Sequence, residues 1–315
     1  MPELPEVQTT VSHLKEKIPG LIIKDVWSCY DSPYYKGKRN IKDKDYFKQF
    51  KREVTNKKIL SVERKGKNIL IHLSKDITIL THMKMSGHFL YGEYIKTPEK
   101  EKQVFLGEWI AEKKGPLKDD PFNRFIRIVF TLSNKKHLTL SDSRKFATIY
   151  IYKTKSPPNS LLDLGPDPLD KNFTFKTFLK RLPYLSNKPI KQILLDHSVI
   201  SGIGNIYSDE MLFSADIHPK SILRMIPRQK LYSLYSSMKF ILRQGITLNG
   251  DSFSDYRKPD GERGSFHHHH SVYQKKGERC SKRGCKGVIE REIIGNRSSH
   301  FCNQHQVLYF PKKLE

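Results

Sequence analysis

Residues 68–80 read Asn68-Ile-Leu-Ile-His-Leu-Ser-Lys-Asp-Ile-Thr-Ile-Leu80. Two short runs rich in β-branched and aliphatic residues flank a polar break, which is the pattern of two strands joined by a tight turn. Similar runs occur at residues 59–62, 126–132 and 147–152. Several such strands separated by turn residues predict a two-layer β-sandwich between residues 21 and 152.

A helix is predicted immediately ahead of this sandwich. Val7, Val11, Leu14 and Ile18 recur at a spacing that places them on one helical face. Two lysine-rich polar stretches, at residues 30–52 and 95–123, interrupt the strand pattern. We expect both to be long surface excursions from the sandwich.

The second half of the chain has a different pattern. Residues 153–170 are rich in Pro, Ser and Gly, as in a linker, and residues 172–249 carry helical periodicity. The fold class is therefore predicted to be α+β. The predicted segments are an N-terminal β-sandwich domain (1–155), a linker (156–170), a helical domain (171–264) and a short C-terminal module (265–315).

The charge balance indicates a polyanionic partner. The chain has 57 Lys and Arg against 33 Asp and Glu, a net charge of +24. Such an excess favours nucleic-acid binding, because neutralising phosphates releases condensed counterions. A lysine-rich proteome is the alternative explanation, but basic residues alternate with aromatic residues and glycines in the tail.

No run of about 20 apolar residues is present, so a membrane span is not expected. The first 20 residues lack the apolar core of a secretory signal. Of the four cysteines, three cluster near the C-terminus and Cys29 stands alone. This usage fits a reducing, cytoplasmic environment rather than a disulfide framework.

The clustered cysteines have the spacing of metal ligands. The pattern is Cys280-x4-Cys285-x16-Cys302-x2-His305. Three thiolates and one imidazole form a donor set that a structural Zn²⁺ takes, and about 50 residues cannot otherwise bury a sufficient core. One Zn²⁺ is therefore predicted, in a β-hairpin module, with His300 as an alternative fourth ligand.

The chain begins Met1-Pro2-Glu3-Leu4-Pro5-Glu6. Removal of Met1 would leave Pro2 with a free secondary amine. Such an amine attacks an aldehyde-like carbon to give a cationic iminium directly, so Pro2 is a candidate covalent nucleophile. Many chains begin with Met-Pro although their proline has no catalytic role. The first two residues alone therefore do not identify Pro2 as a nucleophile.

Six motifs in order resemble the formamidopyrimidine-DNA glycosylase family of bifunctional base-excision-repair enzymes. They are Pro2-Glu-Leu-Pro-Glu-Val, Arg64-Lys-Gly-Lys67, His82-Met-Lys-Met-Ser-Gly87, Asp142-Ser-Arg-Lys-Phe146, the segment from Leu195 through Gly202-Ile-Gly204-Asn205 to Tyr207, and Arg297-Ser-Ser-His-Phe-Cys302. The resemblance implies a β-sandwich, a helix–two-turn–helix element and a zinc finger. It also implies removal of oxidised purines, such as 8-oxoguanine and formamidopyrimidines, followed by β,δ-elimination at the abasic site.

The resemblance implies a role for each matching residue at the reacting sugar. Pro2 would attack C1′ of the damaged nucleotide, and Glu3 would donate a proton to the ring oxygen. Glu6 would support this cluster. Lys67 would contact phosphate near the lesion and assist strand cleavage, and Arg297 would bridge phosphates at the tip of the zinc hairpin.

Further matching residues would contact DNA. A base inside a duplex has to be extruded before it can react, which leaves a gap in the stack. Met85 would fill that gap, Phe146 would insert into the stack, and Arg144 would read the partner base. His82 and Asn205 would also contact DNA, and Asn205 would donate to a phosphate.

Two segments carry less defined expectations from the same resemblance. Lys191 would lie near the lesion pocket. Residues 250–264, polar and flanked by glycines, resemble the loop that closes over an extruded purine.

The chain departs from the family pattern in three places. The first zinc pair is spaced x4 rather than x2, with His as the fourth ligand, and Lys84 and Ser143 stand where the family has Gly and Pro. These changes affect metal affinity and the geometry of the gap-filling loops, not the catalytic assignment.

The expected partner is double-stranded DNA containing oxidised bases or abasic sites, bound by a monomeric, nucleoid-associated protein. Two other functions remain open. One is an endonuclease VIII-like glycosylase that prefers oxidised pyrimidines, and the other is a non-catalytic zinc-finger protein that binds damaged DNA.

Overall fold

A computed structural model describes residues 1–97 and 108–311. The chain forms two compact units. The first comprises Met1–Leu162 and Leu248–Ser265, and the second comprises Asp163–Thr247 and Phe266–Glu315. The division after Leu162 falls inside the stretch predicted as a linker.

The first unit opens with helix α1 (Leu4–Lys17), as the apolar spacing predicts. Glu3 is its N-cap and Glu6 its third residue, and together they form a capping box. Pro5 lies in the first turn, where a missing N–H costs nothing, and Lys15 and Lys17 lie in the last. The residues predicted to react therefore also start the helix.

Among the described residues of the first unit, ten strands follow helix α1 and form two four-stranded antiparallel sheets and one small hairpin. The strands are β1 (Ile23–Ser28), β2 (Ile59–Lys65), β3 (Asn68–Leu73), β4 (Ile77–His82), β5 (His88–Gly92), β6 (Tyr94–Lys96), β7 (Trp109–Ala111), β8 (Ile126–Leu132), β9 (His137–Ser141) and β10 (Thr148–Lys153). Their orders are β1-β8-β9-β5, β10-β4-β3-β2 and β6-β7. One apolar core joins the two large sheets, with Phe130 from the first and Ile71 from the second fully buried in it. The predicted sandwich is confirmed.

The prediction of a surface excursion at residues 30–52 is wrong for its second half. Helix α2 (Lys44–Val54) occupies this region, and Ile41, Phe50 and Val54 are fully buried in the sandwich core. Phe50 and Val54 lie four residues apart and so share one helical face. The surrounding lysines hid this apolar face in the sequence.

In the second lysine-rich stretch, the described residues 108–123 form more than a surface excursion. Residues 98–107 lie outside the described part of the chain, but β7 pairs with β6 and a short helix α3 (Pro116–Asp119) follows. Trp109 and Leu117 pack against a small apolar cluster that includes Tyr94 and Val129. Trp109 and Leu117 therefore cover residues of the first sheet.

The sequence pattern does not predict strands β1, β5 and β9 as separate strands. In β9 every residue is buried, including His137, Thr139 and Ser141. Polar residues inside a sheet obscure the alternation on which strand prediction depends.

The second unit is helical, as predicted. The short helix α4 (Asn159–Leu162) ends the first segment of the first unit. The second unit contains α5 (Phe175–Arg181), α6 (Ile190–Leu195), α7 (Asn205–Ser214) and α8 (Arg228–Thr247). Among the described residues, no helix is both long and apolar enough to cross a membrane.

A β-hairpin ends the second unit, with strands β11 (Ile289–Ile294) and β12 (Arg297–Cys302). The connecting residues Gly295 and Asn296 have φ of 57° and 60°. Positive φ at both central residues is the signature of the two-residue turn that fits the twist of a hairpin. Arg297 follows this turn directly, and its side chain is exposed.

The predicted boundary of the helical domain at residue 264 needs one correction. Leu248–Ser265 belongs to the first unit, not to the helical unit. Its residues bond to helix α1 and to residues 116–124, which are contacts between distant segments that local sequence patterns do not reveal.

Candidate functional site

One carboxylate fixes the beginning of the chain. Glu6 is 1% exposed, and its Oε2 accepts a hydrogen bond of 2.7 Å from the Glu3 amide. Its Oε1 accepts a bond of 2.8 Å from the Asp251 amide. Both oxygens are thus engaged by backbone N–H groups. This arrangement holds Pro2 and Glu3 against the segment that starts at residue 250.

Two neighbours complete this junction. The Tyr256 hydroxyl donates to the Glu6 carbonyl at 3.0 Å, and burial raises the pKa of Tyr256, so the hydroxyl keeps its proton. Gly250 has φ of 84°, and a Cβ there would lie 2.9 Å from Glu6 Cγ. The position therefore requires glycine both for backbone conformation and for space.

Lys67 lies in the two-residue turn between β2 and β3, where Lys65 pairs with Asn68. The turn begins with Gly66, whose φ of 59° suits glycine. Arg64 Nε donates to Gln8 Oε1 at 2.8 Å, and its Nη1 donates to the Gly66 carbonyl at 3.3 Å. Arg64 therefore ties the Lys67 turn to helix α1.

Asp142 joins the two loops that carry the predicted gap-filling residues. Its Oδ1 accepts a bond from the Ser86 hydroxyl, and its Oδ2 accepts from the Ala147 amide at 2.8 Å and from the Tyr30 hydroxyl at 3.1 Å. The Arg144 amide donates to Ser86 Oγ at 3.1 Å. Burial and the neighbouring Asp142 raise the pKa of Tyr30, which keeps this donor protonated.

The structure brings Met85, Arg144 and Phe146 to these joined loops with their side chains exposed. Met85 is 38% and Phe146 47% exposed, so both side chains are accessible to a binding partner. The Arg144 guanidinium lies 4.7 Å from the Phe146 ring centroid. His82 Nδ1 accepts from the Lys84 amide at 3.0 Å and so shapes the first loop.

Both departures from the family pattern in these loops have structural consequences. Lys84 has φ of 55°, a left-handed conformation that glycine adopts with less steric strain than lysine. Ser143 donates from its hydroxyl to Asp255 Oδ2 at 2.7 Å. The serine thus connects the second loop to residues 250–264, which a proline could not do.

In the second unit, Asn205 opens helix α7 after the turn that contains Gly202 and Gly204. Gly202 has φ of 90°, and Gly204 is the N-cap. The Asn205 side chain is partly exposed at this helix start, a position that attracts anions because unpaired N–H groups point outward.

Lys191 lies in the interior of the second unit, with no exposed surface. Its Nζ forms an ion pair with buried Asp209 and donates to the Asn205 carbonyl at 3.2 Å. Asp209 Oδ2 also accepts from the His300 amide at 3.0 Å. Direct contact of Lys191 with DNA would require this pair to open, so the structure places Lys191 beneath Asn205 instead.

Cys280, Cys285, Cys302 and His305 converge, with all four ligand atoms within 4.8 Å of one another. Cys280 Sγ lies 3.2 Å from His305 Nδ1, and Cys285 Sγ lies 3.8 Å from Cys302 Sγ. These residues can hold a metal ion. His300 is not in the group, because its Nδ1 faces Asp209 at 3.2 Å.

Contacts around the cluster orient its ligands. His305 Nε2 lies 3.3 Å from the Phe213 carbonyl, which leaves Nδ1 for a metal. The Gly287 amide donates to Cys285 Sγ at 3.3 Å. A Cβ at Gly287 would lie 2.5 Å from Cys302 Sγ, so only glycine fits beside the cluster.

Two family models match this chain. Residues 1–149 match the model of the formamidopyrimidine-DNA glycosylase N-terminal domain, and residues 164–257 match that of the formamidopyrimidine-DNA glycosylase H2TH domain. The chain belongs to the formamidopyrimidine-DNA glycosylase family. Members of this family have glycosylase and AP lyase activity.

A relative from Pelotomaculum thermopropionicum, a formamidopyrimidine-DNA glycosylase, is 32% identical over 96% of this chain and 98% of its own. A Lactococcus lactis variant solved with Fapy-dG-containing DNA has a TM-score of 0.78, with 28% identity over 97% of this chain and 99% of that one. The wild-type L. lactis protein, solved with DNA containing an oxidised pyrimidine, has a TM-score of 0.77 and the same 28% identity, over 97% and 99% of the two chains.

Within this formamidopyrimidine-DNA glycosylase family member, the sequence left several supporting residues unassigned. Tyr30 lies in the lysine-rich stretch that the sequence predicts to be a surface excursion. Lys42 is 2% exposed and its Nζ donates to the Lys145 carbonyl at 2.6 Å, although burial lowers its pKa. No local pattern distinguishes such a lysine from the exposed ones around it.

Proposed function

We propose that the protein is a bifunctional glycosylase and AP lyase that removes oxidised purines from double-stranded DNA through a Schiff base on Pro2. The observation that carries this proposal is the Glu6 junction. It fixes the Pro2–Glu3 backbone in a buried position, in the same unit that exposes Met85, Arg144 and Phe146. Covalent chemistry and base extrusion need these two features together.

The first step would be attack by the Pro2 nitrogen, freed by removal of Met1, on C1′ of the extruded nucleotide. The glycosidic C1′–N bond breaks, and the base leaves with the bonding electrons and takes up a proton. Glu3 would protonate the ring oxygen as the sugar opens, while the nitrogen lone pair forms the C1′ iminium.

The two acidic residues would have different tasks. Both carboxylate oxygens of Glu6 accept from backbone N–H groups, so Glu6 acts as an ionised acceptor that positions its neighbours. Glu3 starts the helix next to Pro2 and is 2% exposed. Glu3 is therefore the better candidate for proton transfer.

The iminium acidifies C2′, so loss of a C2′ proton expels the 3′ phosphate with the electrons of its C–O bond. A second elimination across the resulting conjugated system expels the 5′ phosphate. Lys67, fixed by the Gly66 turn, would neutralise a phosphate during these steps. The product is a one-nucleotide gap with phosphate at both ends.

The joined loops would read the strand opposite the lesion. Phe146 would stack between bases, and Met85 would occupy the space left by the extruded nucleotide. Arg144 would donate to the acceptor edge of the orphaned base, which favours cytosine and therefore lesions derived from guanine. Asn205 and Arg297 would contact phosphates from the second unit.

The cysteine and histidine cluster would hold one structural Zn²⁺, which supplies folding free energy to a module that is too small for a large core. Its three thiol groups and one imidazole fit that ion. We also propose that the enzyme is a monomer that associates with the nucleoid in the cytoplasm, where its DNA substrate would lie.

Borohydride reduction with an abasic-site duplex tests the core of this proposal. We expect a covalent protein–DNA adduct, because reduction converts the iminium to a stable amine. A tryptic peptide map should place the DNA on Pro2. DNA binding without any adduct would instead support a non-catalytic zinc-finger protein.

A second candidate function is excision of oxidised pyrimidines, which the L. lactis complex with such DNA brings into consideration. Single-turnover rates on duplexes with 8-oxoguanine opposite C and thymine glycol opposite A separate the two. We expect faster release of 8-oxoguanine; the opposite order would overturn the purine assignment.

A further inference from the structure

Residues 250–264 are anchored along most of their length, although their composition is that of a mobile loop. Tyr256, Arg257 and Lys258 are buried, and Arg257 has no exposed surface. Phe253, by contrast, is 60% exposed. The segment therefore consists of an exposed tip, at Phe253, and a buried stem, at residues 256–258.

Residues 116–124, which we call the bracket, hold this stem. Asp120 Oδ2 accepts from Arg257 Nε at 2.7 Å, and the two side chains are 13% and 1% exposed. Asp120 Oδ1 also accepts from the Phe122 amide at 2.9 Å, and the Arg257 guanidinium lies 4.8 Å from the Phe122 ring centroid. An ion pair this buried is costly to break, because one charge remains without its partner.

Arg257 transmits this anchoring to the loop backbone. Its Nη1 donates to the Ser254 carbonyl at 2.7 Å and to the Tyr256 carbonyl at 2.8 Å. A lysine could not make this set of bonds, because only a guanidinium presents several N–H donors in one fixed plane. The bracket therefore reaches, through one side chain, the residues that follow the exposed tip.

A second contact holds the far end of the loop. Gly261 has φ of 89°, and a Cβ there would lie 2.6 Å from Leu117 N in the bracket. Asn123 Nδ2 donates to the Gly261 carbonyl at 2.9 Å, and its Oδ1 lies 3.0 Å from His88 Nε2. The Tyr91 amide donates to the Pro259 carbonyl at 2.7 Å, so strand β5 contributes as well.

We propose that the bracket at residues 116–124 is a positioning element that fixes the buried stem of the 250–264 loop. Only the tip of the loop then adjusts when an extruded nucleobase arrives. This inference rests on the proposed function. Ordering a loop in advance removes part of the entropy that binding would otherwise cost. Residues 116–124, nearly all of which lie in the stretch predicted to be a surface excursion, thus act on substrate selection.

The expected consequence differs between two substrates. A damaged base needs the loop over it, whereas an abasic site offers no base to cover. Weakening the bracket should therefore slow excision of a formamidopyrimidine or 8-oxoguanine and leave strand cleavage at an abasic site nearly unchanged. A defect in Pro2 chemistry would slow both.

The test uses Asp120→Asn, which removes the charge and retains an oxygen for the Phe122 amide. Lys113→Ala, which breaks an exposed ion pair with Glu93, is the matched control. In Asp120→Asn we expect hydrogen exchange of amides 254–263 to rise about tenfold, with a similar fall in single-turnover base excision and less than about a twofold change at abasic sites. Arg257→Lys keeps a charge for Asp120 and should shift both readouts in the same direction by less.

Unchanged hydrogen exchange of the loop in both variants would refute the proposal that the bracket fixes the loop. Equal losses on lesion and abasic substrates would overturn it too, because the effect would then not be specific to the loop. If the wild-type protein excises no damaged base, the proposed function fails, while hydrogen exchange still decides whether residues 116–124 hold the loop.

Discussion

Glu6 Oε1 accepts a hydrogen bond of 2.8 Å from the amide of Asp251, a residue 245 positions away along the chain. The other oxygen of the same carboxylate holds the Glu3 amide. A single buried side chain thus aligns the proposed nucleophile with the loop proposed to cover the damaged base.

Replacing this carboxylate should impair both stability and catalysis. Glu6→Gln places an NH₂ group against a backbone N–H, so one buried bond to a charged acceptor is lost. We expect the free energy of unfolding to fall by about 1.5–3 kcal/mol. Urea unfolding measures this loss, and the rate of borohydride trapping should fall with it.

Glu16→Gln is the matched control, because Glu16 is exposed near the other end of the same helix. It should change neither quantity. A Glu6→Gln protein with wild-type stability and trapping would show that the junction at the N-terminus is dispensable.

Substitution of the proposed nucleophile should separate chemistry from binding. Pro2→Gly keeps an amine but loses the secondary amine and its rigid ring, so we expect most turnover to disappear. Binding to an abasic-site duplex should remain and should still weaken with salt, since phosphate contacts dominate affinity. Pro19→Ala, at an exposed proline after helix α1, should behave as wild type. Full activity of Pro2→Gly would refute the nucleophile assignment.

Loss of the Arg144 guanidinium should relax the choice of opposite base. Arg144→Ala removes the proposed contact with the orphaned base, and such contacts contribute about 1–3 kcal/mol of discrimination. The ratio of excision rates with C and with A opposite 8-oxoguanine should fall accordingly. Arg52→Ala removes the same charge from an exposed site on helix α2 and should leave the ratio intact. An unchanged ratio in Arg144→Ala would assign the reading of the opposite base to another residue.

The metal cluster predicts different outcomes for two nearby histidines. His305→Ala removes a proposed ligand, so the purified protein should bind less than about one zinc per chain and lose it readily to a chelator. His300→Ala should retain the metal, since His300 faces Asp209 rather than the cysteines. Metal analysis by mass spectrometry checks both. Zinc retained by His305→Ala and lost from His300→Ala would reverse the assignment.

The prediction from sequence succeeded where the signal is local. Helix α1, the long aliphatic strands and the spacing of Cys280, Cys285, Cys302 and His305 each lie within a short window. Ordered motifs then identified the family, since several independent matches along one chain leave few alternatives. Where polar residues are buried the pattern failed, as in strand β9 and in helix α2 behind its lysines.

Local sequence therefore predicted most of the elements, a cluster of candidate metal ligands and a candidate nucleophile, because periodicity and spacing are properties of neighbouring residues. Only folding revealed that Glu6 meets Asp251, that Asp142 joins two loops and that Asp120 holds Arg257. Those pairs are separated by tens to hundreds of residues. Their energies arise from burial and charge pairing that exist only once distant segments have packed together.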